Sequence, residues 1–154
     1  MNNQLKSKTR LAFIQYIFLS ISSNDDNSDI KNDFDNYFHN LNVAAIDETK
    51  DTKIQYNKNM FNKLADNYIN FKKNNDLSLL IDPHIIFERK FNQWSKINQS
   101  IILAIISETI ITSRDKIKIA LNDYLNIAKS FVTTKELKML NGIIDKYLNE
   151  KKYI

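Results

Sequence analysis

The chain has 154 residues, a formal charge of +4 and 43% hydrophobic residues, enough apolar content to bury a core and exclude wholesale disorder. A single Gly and a single Pro exclude a hairpin-rich β fold, a glycine-rich phosphate loop and a serine nucleophile elbow. The lack of Cys and the two separated histidines, His39 and His84, leave no basis for a disulfide, a thiolate zinc site, a cysteine nucleophile or any other metal site.

The first helix is expected over residues 4–22, where Leu11, Ile14, Phe18 and Ile21 form one stripe. Ala12, Phe13, Tyr16 and Ile17 carry apolar character round the cylinder, which predicts burial on more than one side. Lys6, Lys8 and Arg10 ahead of this run also resemble the start of a secretory signal, but Gln15 interrupts the run and no small-x-small site follows. Residues 22–28 read as a polar loop, 29–42 as a helix through Ile30, Phe34, Tyr37, Phe38 and Leu41, and 46–55 as a charged loop. A further helix fits 57–73, through Met60, Leu64, Tyr68 and Phe71 beside Phe61 and Ala65.

Lys72 to Asp76 is the expected boundary between an N-terminal subdomain, 1–75, and a C-terminal one, 76–154. Asp82-Pro83 reads as an N-cap and first helical position, opening a helix with Ile86, Phe87, Phe91 and Trp94. Residues 97–111 contain Ile101 to Ile106, apolar all round and too short to span a bilayer, hence a buried central helix. A helix follows over about 115–131, and Thr133 with Glu136 forms a capping box at the start of the last one. Gly142 falls inside that helix. Either another backbone approaches closely there, or the helix ends there. The expected fold is all-α, with about seven helices in two packed three-helix-type subdomains.

The charge is unevenly spread. Residues 25–51 hold eight acids and two bases, so the rest carries 20 bases against 10 acids. Such a basic remainder fits an anionic partner such as nucleic acid, or solvated helix faces. No convergent catalytic set is visible, and binding is the default role.

Two segments carry a family likeness. Arg10-Leu11-Ala12 with Gln15 resembles the basic Arg-Leu-Ala-x-x-Gln opening helix of the NusB family. Lys118 to Tyr124, its continuation Leu125 to Phe131 and Leu140-Asn141-Gly142-Ile143-Ile144-Asp145 resemble its Val-Ala-Ile-Asn-Glu, Glu-Ile-Ala-Lys-x-Phe and Val-Asn-Gly-Val-Leu-Asp blocks, at matching spacing. Trp94 to Glu108 more faintly resembles its Leu-Arg-x-Ala-x-Tyr-Glu helix, with Leu103 in place of Arg and Ser107 in place of Tyr.

The resemblance implies a cytoplasmic bacterial protein with no catalytic site and no cofactor. Its first helix is then a core helix. Members pair with the small-subunit ribosomal protein NusE, bind single-stranded boxA RNA of nascent ribosomal RNA transcripts and join the RNA polymerase antitermination complex. The implied RNA surface combines Lys6, Lys8 and Arg10 with Lys129, Lys135 and Lys138, and the candidate protein-partner residues are Ile86, Arg89 and Asn92. Phe13 and Tyr16 are either packed against the second subdomain or available for base stacking. Two other readings stay open. One is a protein-only helical adaptor. The other is a NusB-like domain related to ribosomal RNA cytosine methyltransferases, which carry a following α/β domain not present before Ile154.

Overall fold

The computed structural model describes residues 1–23, 56–86 and 88–151. The helix and loop expected within 24–55 lie outside the described residues. Among those described there are six α-helices and no strand.

Helix α1 (Asn3–Ser23) opens with the Asn2 side-chain oxygen accepting from the Leu5 N–H at 2.7 Å. Ala12, Phe13, Ile14, Tyr16 and Ile17 are all buried, so the helix is enclosed on several sides. Helix α2 (Lys58–Asn74) is capped by Asn57, which accepts from the Met60 N–H at 2.8 Å. Its stripe of Phe61, Leu64, Ala65, Tyr68 and Phe71 packs on α1. Phe13 meets Tyr68 edge-on, and Tyr16 meets both Phe61 and Tyr68 in the same way. Phe13 and Tyr16 are therefore core residues and not exposed stacking platforms. Their aromatic partners come from α2, within residues 1–75. The two helices are also tied by the Asn57 N–H donating to Thr9 Oγ1 at 2.9 Å, while the Thr9 hydroxyl donates to Leu5 O.

The expected helix from Pro83 is absent. Instead Leu77–Ile81 forms a short helix α3 capped by Asp76, followed by single 3-10 turns at Asp82–His84 and Phe91–Gln93. Pro at the start of a turn is compatible with either outcome, and long-range bonds decide it. The Asp82 carboxylate, expected to cap a helix starting at Pro83, accepts from the Phe91 N–H at 2.9 Å. The Gln99 carboxamide donates to Phe91 O and Trp94 O, the Trp94 indole donates to Arg89 O, and the Lys90 ammonium donates to Ile85 O. These side chains satisfy backbone groups that a helix would have satisfied internally.

Helix α4 (Lys96–Ile110) is buried at every position from Ser100 to Thr109 and is the central element, packing on α1, α2, α5 (Ile117–Ala128) and α6 (Thr134–Glu150). The capping box is present: Thr133 Oγ1 accepts from the Glu136 N–H at 3.1 Å, and the Glu136 carboxylate accepts from the Thr133 N–H at 3.3 Å. Helix α6 runs straight through Gly142. That glycine is exposed, and a Cβ built there would meet nothing within 4 Å. Among the described residues neither expectation for Gly142 holds, since no backbone approaches it and no helix ends at it. Buried residues from α1 to α6 form one continuous hydrophobic cluster.

Candidate nucleic-acid interface

Arg10 is the residue on which the distant parts of the chain meet. Its guanidinium Nε donates to Glu108 Oε2 at 3.0 Å and to Oε1 at 3.2 Å, and Nη1 donates to Asp123 Oδ2 at 2.8 Å. Glu108 lies 98 residues away on α4 and Asp123 lies 113 away on α5. The Ser7 hydroxyl donates to the other Asp123 oxygen, and the guanidinium carbon sits 5.6 Å from the centre of the Tyr124 ring. The side chains of Arg10, Glu108 and Asp123 are only 12%, 6% and 18% exposed.

The electrostatics follow from burial. Desolvation opposes the Arg10 charge, but Glu108 and Asp123 outweigh it and hold the guanidinium pKa above its ordinary value. Desolvation pushes the Glu108 carboxyl upward despite the opposing pull of Arg10. Burial, reinforced by Glu108, holds the Tyr124 phenol well above its usual range. Arg10 was expected on an RNA surface, yet its charge is turned inward between two carboxylates. The sequence carried one signal for this: Glu108 follows the wholly apolar run Ile101 to Ile106 on a helix read as buried, and a buried acid requires a counter-ion. Which cation would answer it was not legible locally.

Four of the six expected cations, Lys6, Arg10, Lys129 and Lys138, line two open grooves. One, of about 440 Å³, lies where α1 meets the start of α5 and is lined by Lys6, Arg10, Lys116, Ile119 and Asp123 among others. The second, of about 620 Å³, lies between α5 and α6 and is lined by Asp123, Lys129 and Lys138 among others. The grooves adjoin at Asp123, which borders both. Lys8 and Lys135 are exposed but line neither. None of Lys6, Lys8, Lys129, Lys135 and Lys138 has an acidic partner among the described residues. Lys6 from the first set and Lys129 with Lys138 from the second thus line two grooves that share Asp123. The acid at their junction has one oxygen bonded to Arg10 and the other to Ser7.

The candidate partner residues lie on the irregular segment between α3 and α4. Ile86 is 78% exposed, Arg89 and Asn92 are exposed, and the Asn92 carboxamide oxygen accepts from the Ser78 hydroxyl at 2.9 Å. Leu79, on neighbouring α3, is 74% exposed and was not singled out from sequence. No group of three His, Asp or Glu side chains that could hold a metal occurs among the described residues. No described helix is long and apolar enough to cross a membrane.

Fold and surface together define an all-α protein with a continuous core and a lysine-lined double groove. The NusB family model matches residues 7–149. Curated relatives include the "Transcription antitermination protein NusB" of Rickettsia massiliae, 25% identical over 94% of this chain and 92% of the relative. The proteins of that name from Rickettsia felis and Rickettsia typhi are each 26% identical over 97% of this chain and 94% of theirs. No solved structure matches the chain. The chain belongs to the NusB family. Arg10, Glu108 and Asp123 come from three of the blocks that carry the sequence likeness, and in the fold those blocks converge on one ion-pair cluster.

Proposed function

We propose that this protein is a cytoplasmic, non-catalytic transcription antitermination factor that pairs with NusE and binds single-stranded boxA RNA within the RNA polymerase antitermination complex. The observation that carries the reading is the meeting of the Lys6 groove and the Lys129–Lys138 groove at Asp123, whose carboxylate is ion-paired with Arg10. Lys6, Lys8, Lys129, Lys135 and Lys138 grip phosphates, which positions a strand without reading its sequence. Arg10 serves that surface from beneath: by pairing with Asp123 it offsets part of the negative charge that phosphates would meet there. Ile86, Arg89 and Asn92 form part of the NusE face, with Leu79 supplying further apolar area.

The test is a titration of fluorescent boxA RNA into the NusE complex at two salt concentrations. Single Lys→Ala variants at Lys6, Lys129 and Lys138 are expected to lower the salt slope by about 0.7 for each phosphate no longer neutralised, with weaker binding to every sequence. An unchanged slope in all three variants refutes the RNA surface and leaves a protein-only adaptor.

A further inference from the structure

The groove between α5 and α6 carries a chemistry that phosphate binding does not require. Asn122 and Asn126 stand at i and i+4 on α5, so they share a face, and Asn141 faces the same groove from α6. All three are exposed, and no carboxamide of the three has a hydrogen-bond partner among the described residues. Leu125 and Leu137 give the groove an apolar side, while Lys129 and Lys138 give it positive charge. The neighbouring Lys6 groove differs: among the described residues Asn3 is the one carboxamide lining it.

A carboxamide offers a donor beside an acceptor, the complement of a base edge, and it adds no charge that a phosphate would need. Three of them beside an apolar wall and two lysines match an unstacked nucleotide: ring against leucine, edge against amide, phosphate against ammonium. The geometry points to this groove as the place where the protein discriminates one base of a single RNA strand, with Asn122, Asn126 and Asn141 as the specificity-determining residues. The inference rests on the RNA-binding reading above and assigns sequence discrimination and phosphate attraction to different side chains.

Three 12-nucleotide single-stranded RNAs of uniform base, oligoadenylate, oligocytidylate and oligouridylate, are titrated by fluorescence anisotropy at several salt concentrations. The proteins are wild type, Asn122→Ala/Asn126→Ala/Asn141→Ala, and Lys129→Ala/Lys138→Ala, each with and without NusE. Alanine is the best helix former, so the triple variant keeps its helices, which circular dichroism verifies. The wild type is expected to prefer one base by roughly five- to hundredfold, the range of one bidentate contact. In the asparagine variant the preference falls below about twofold with the salt slope unchanged, whereas the lysine variant loses slope and keeps the preference. A triple variant that keeps the wild-type preference overturns the inference while leaving RNA binding intact, as does a wild type that binds all three RNAs equally. A wild type that binds none of them overturns the inference and the RNA-binding reading together.

Discussion

Replacing Arg10 by Met keeps an apolar stem of similar length and removes the charge, which isolates the electrostatic part of the α1–α4–α5 junction. The side chains concerned are 12% and 6% exposed, so water reaches Glu108 poorly once its partner is gone. Removing one member of a buried ion pair costs about 3–5 kcal/mol, because the remaining charge is left desolvated. Removing the cation from the face of the Tyr124 ring adds about 0.5–1 kcal/mol. Against a total stability of about 5–15 kcal/mol this is a large fraction.

The cost has a pH signature. Burial already holds the folded-state Glu108 pKa above its ordinary value. As pH rises past the unfolded value, the unfolded chain releases this proton first, and stability falls until the folded value is passed. Without Arg10 the folded value climbs further, so the decline continues to higher pH. Urea unfolding followed by circular dichroism should therefore show a smaller Arg10→Met penalty at pH 5 than at pH 8. Glu108→Gln in the Met background should recover part of the loss at pH 8, since a neutral carboxamide needs no counter-ion. Arg10→Lys should fall between, because one ammonium cannot bridge both carboxylates as the guanidinium fork does. A penalty below about 1 kcal/mol at pH 8, or one independent of pH, refutes the account of the junction as a desolvated ion-pair cluster.

Gly142→Ala should stabilise the protein by about 0.5–1 kcal/mol, because α6 continues through an exposed glycine with open space where the Cβ would go; a loss in thermal or urea unfolding would show that something covers that site. Hydrogen bonds from Asn98 and Thr133 hold the Glu136 carboxyl below its ordinary value. Its stabilising effect is thus present above the unfolded carboxylate value and lost as pH falls through the folded one. Glu136→Gln should flatten the decline in melting temperature on the acid side, and an acid limb identical to wild type would contradict the assignment.

Much of the fold is local information. The apolar run from Ile101 to Ile106 marks α4 as buried all round, Thr133 and Glu136 mark the start of α6, and the 3.6-residue spacing of Phe61, Leu64, Ala65, Tyr68 and Phe71 marks α2. Each of these signals lies within a few turns of chain, where periodicity and capping act. The segment from Pro83 to Trp94 was not legible in the same way. Its conformation depends on Asp82 reaching Phe91 and on Gln99 reaching back from α4, bonds that compete with helix formation only once those elements are packed. Gly142 misled for a related reason: what surrounds a missing Cβ is a property of neighbouring elements and not of the helix that carries it.

The sequence by itself determined the helical class and most helix starts, because composition, spacing and caps act locally. Only the tertiary structure decided that Arg10 is committed to Glu108 and Asp123, and that the Lys6 and Lys129–Lys138 grooves adjoin. An ion pair spanning 98 residues is selected by burial, where an unpaired charge is costly, and burial exists only after the helices have met.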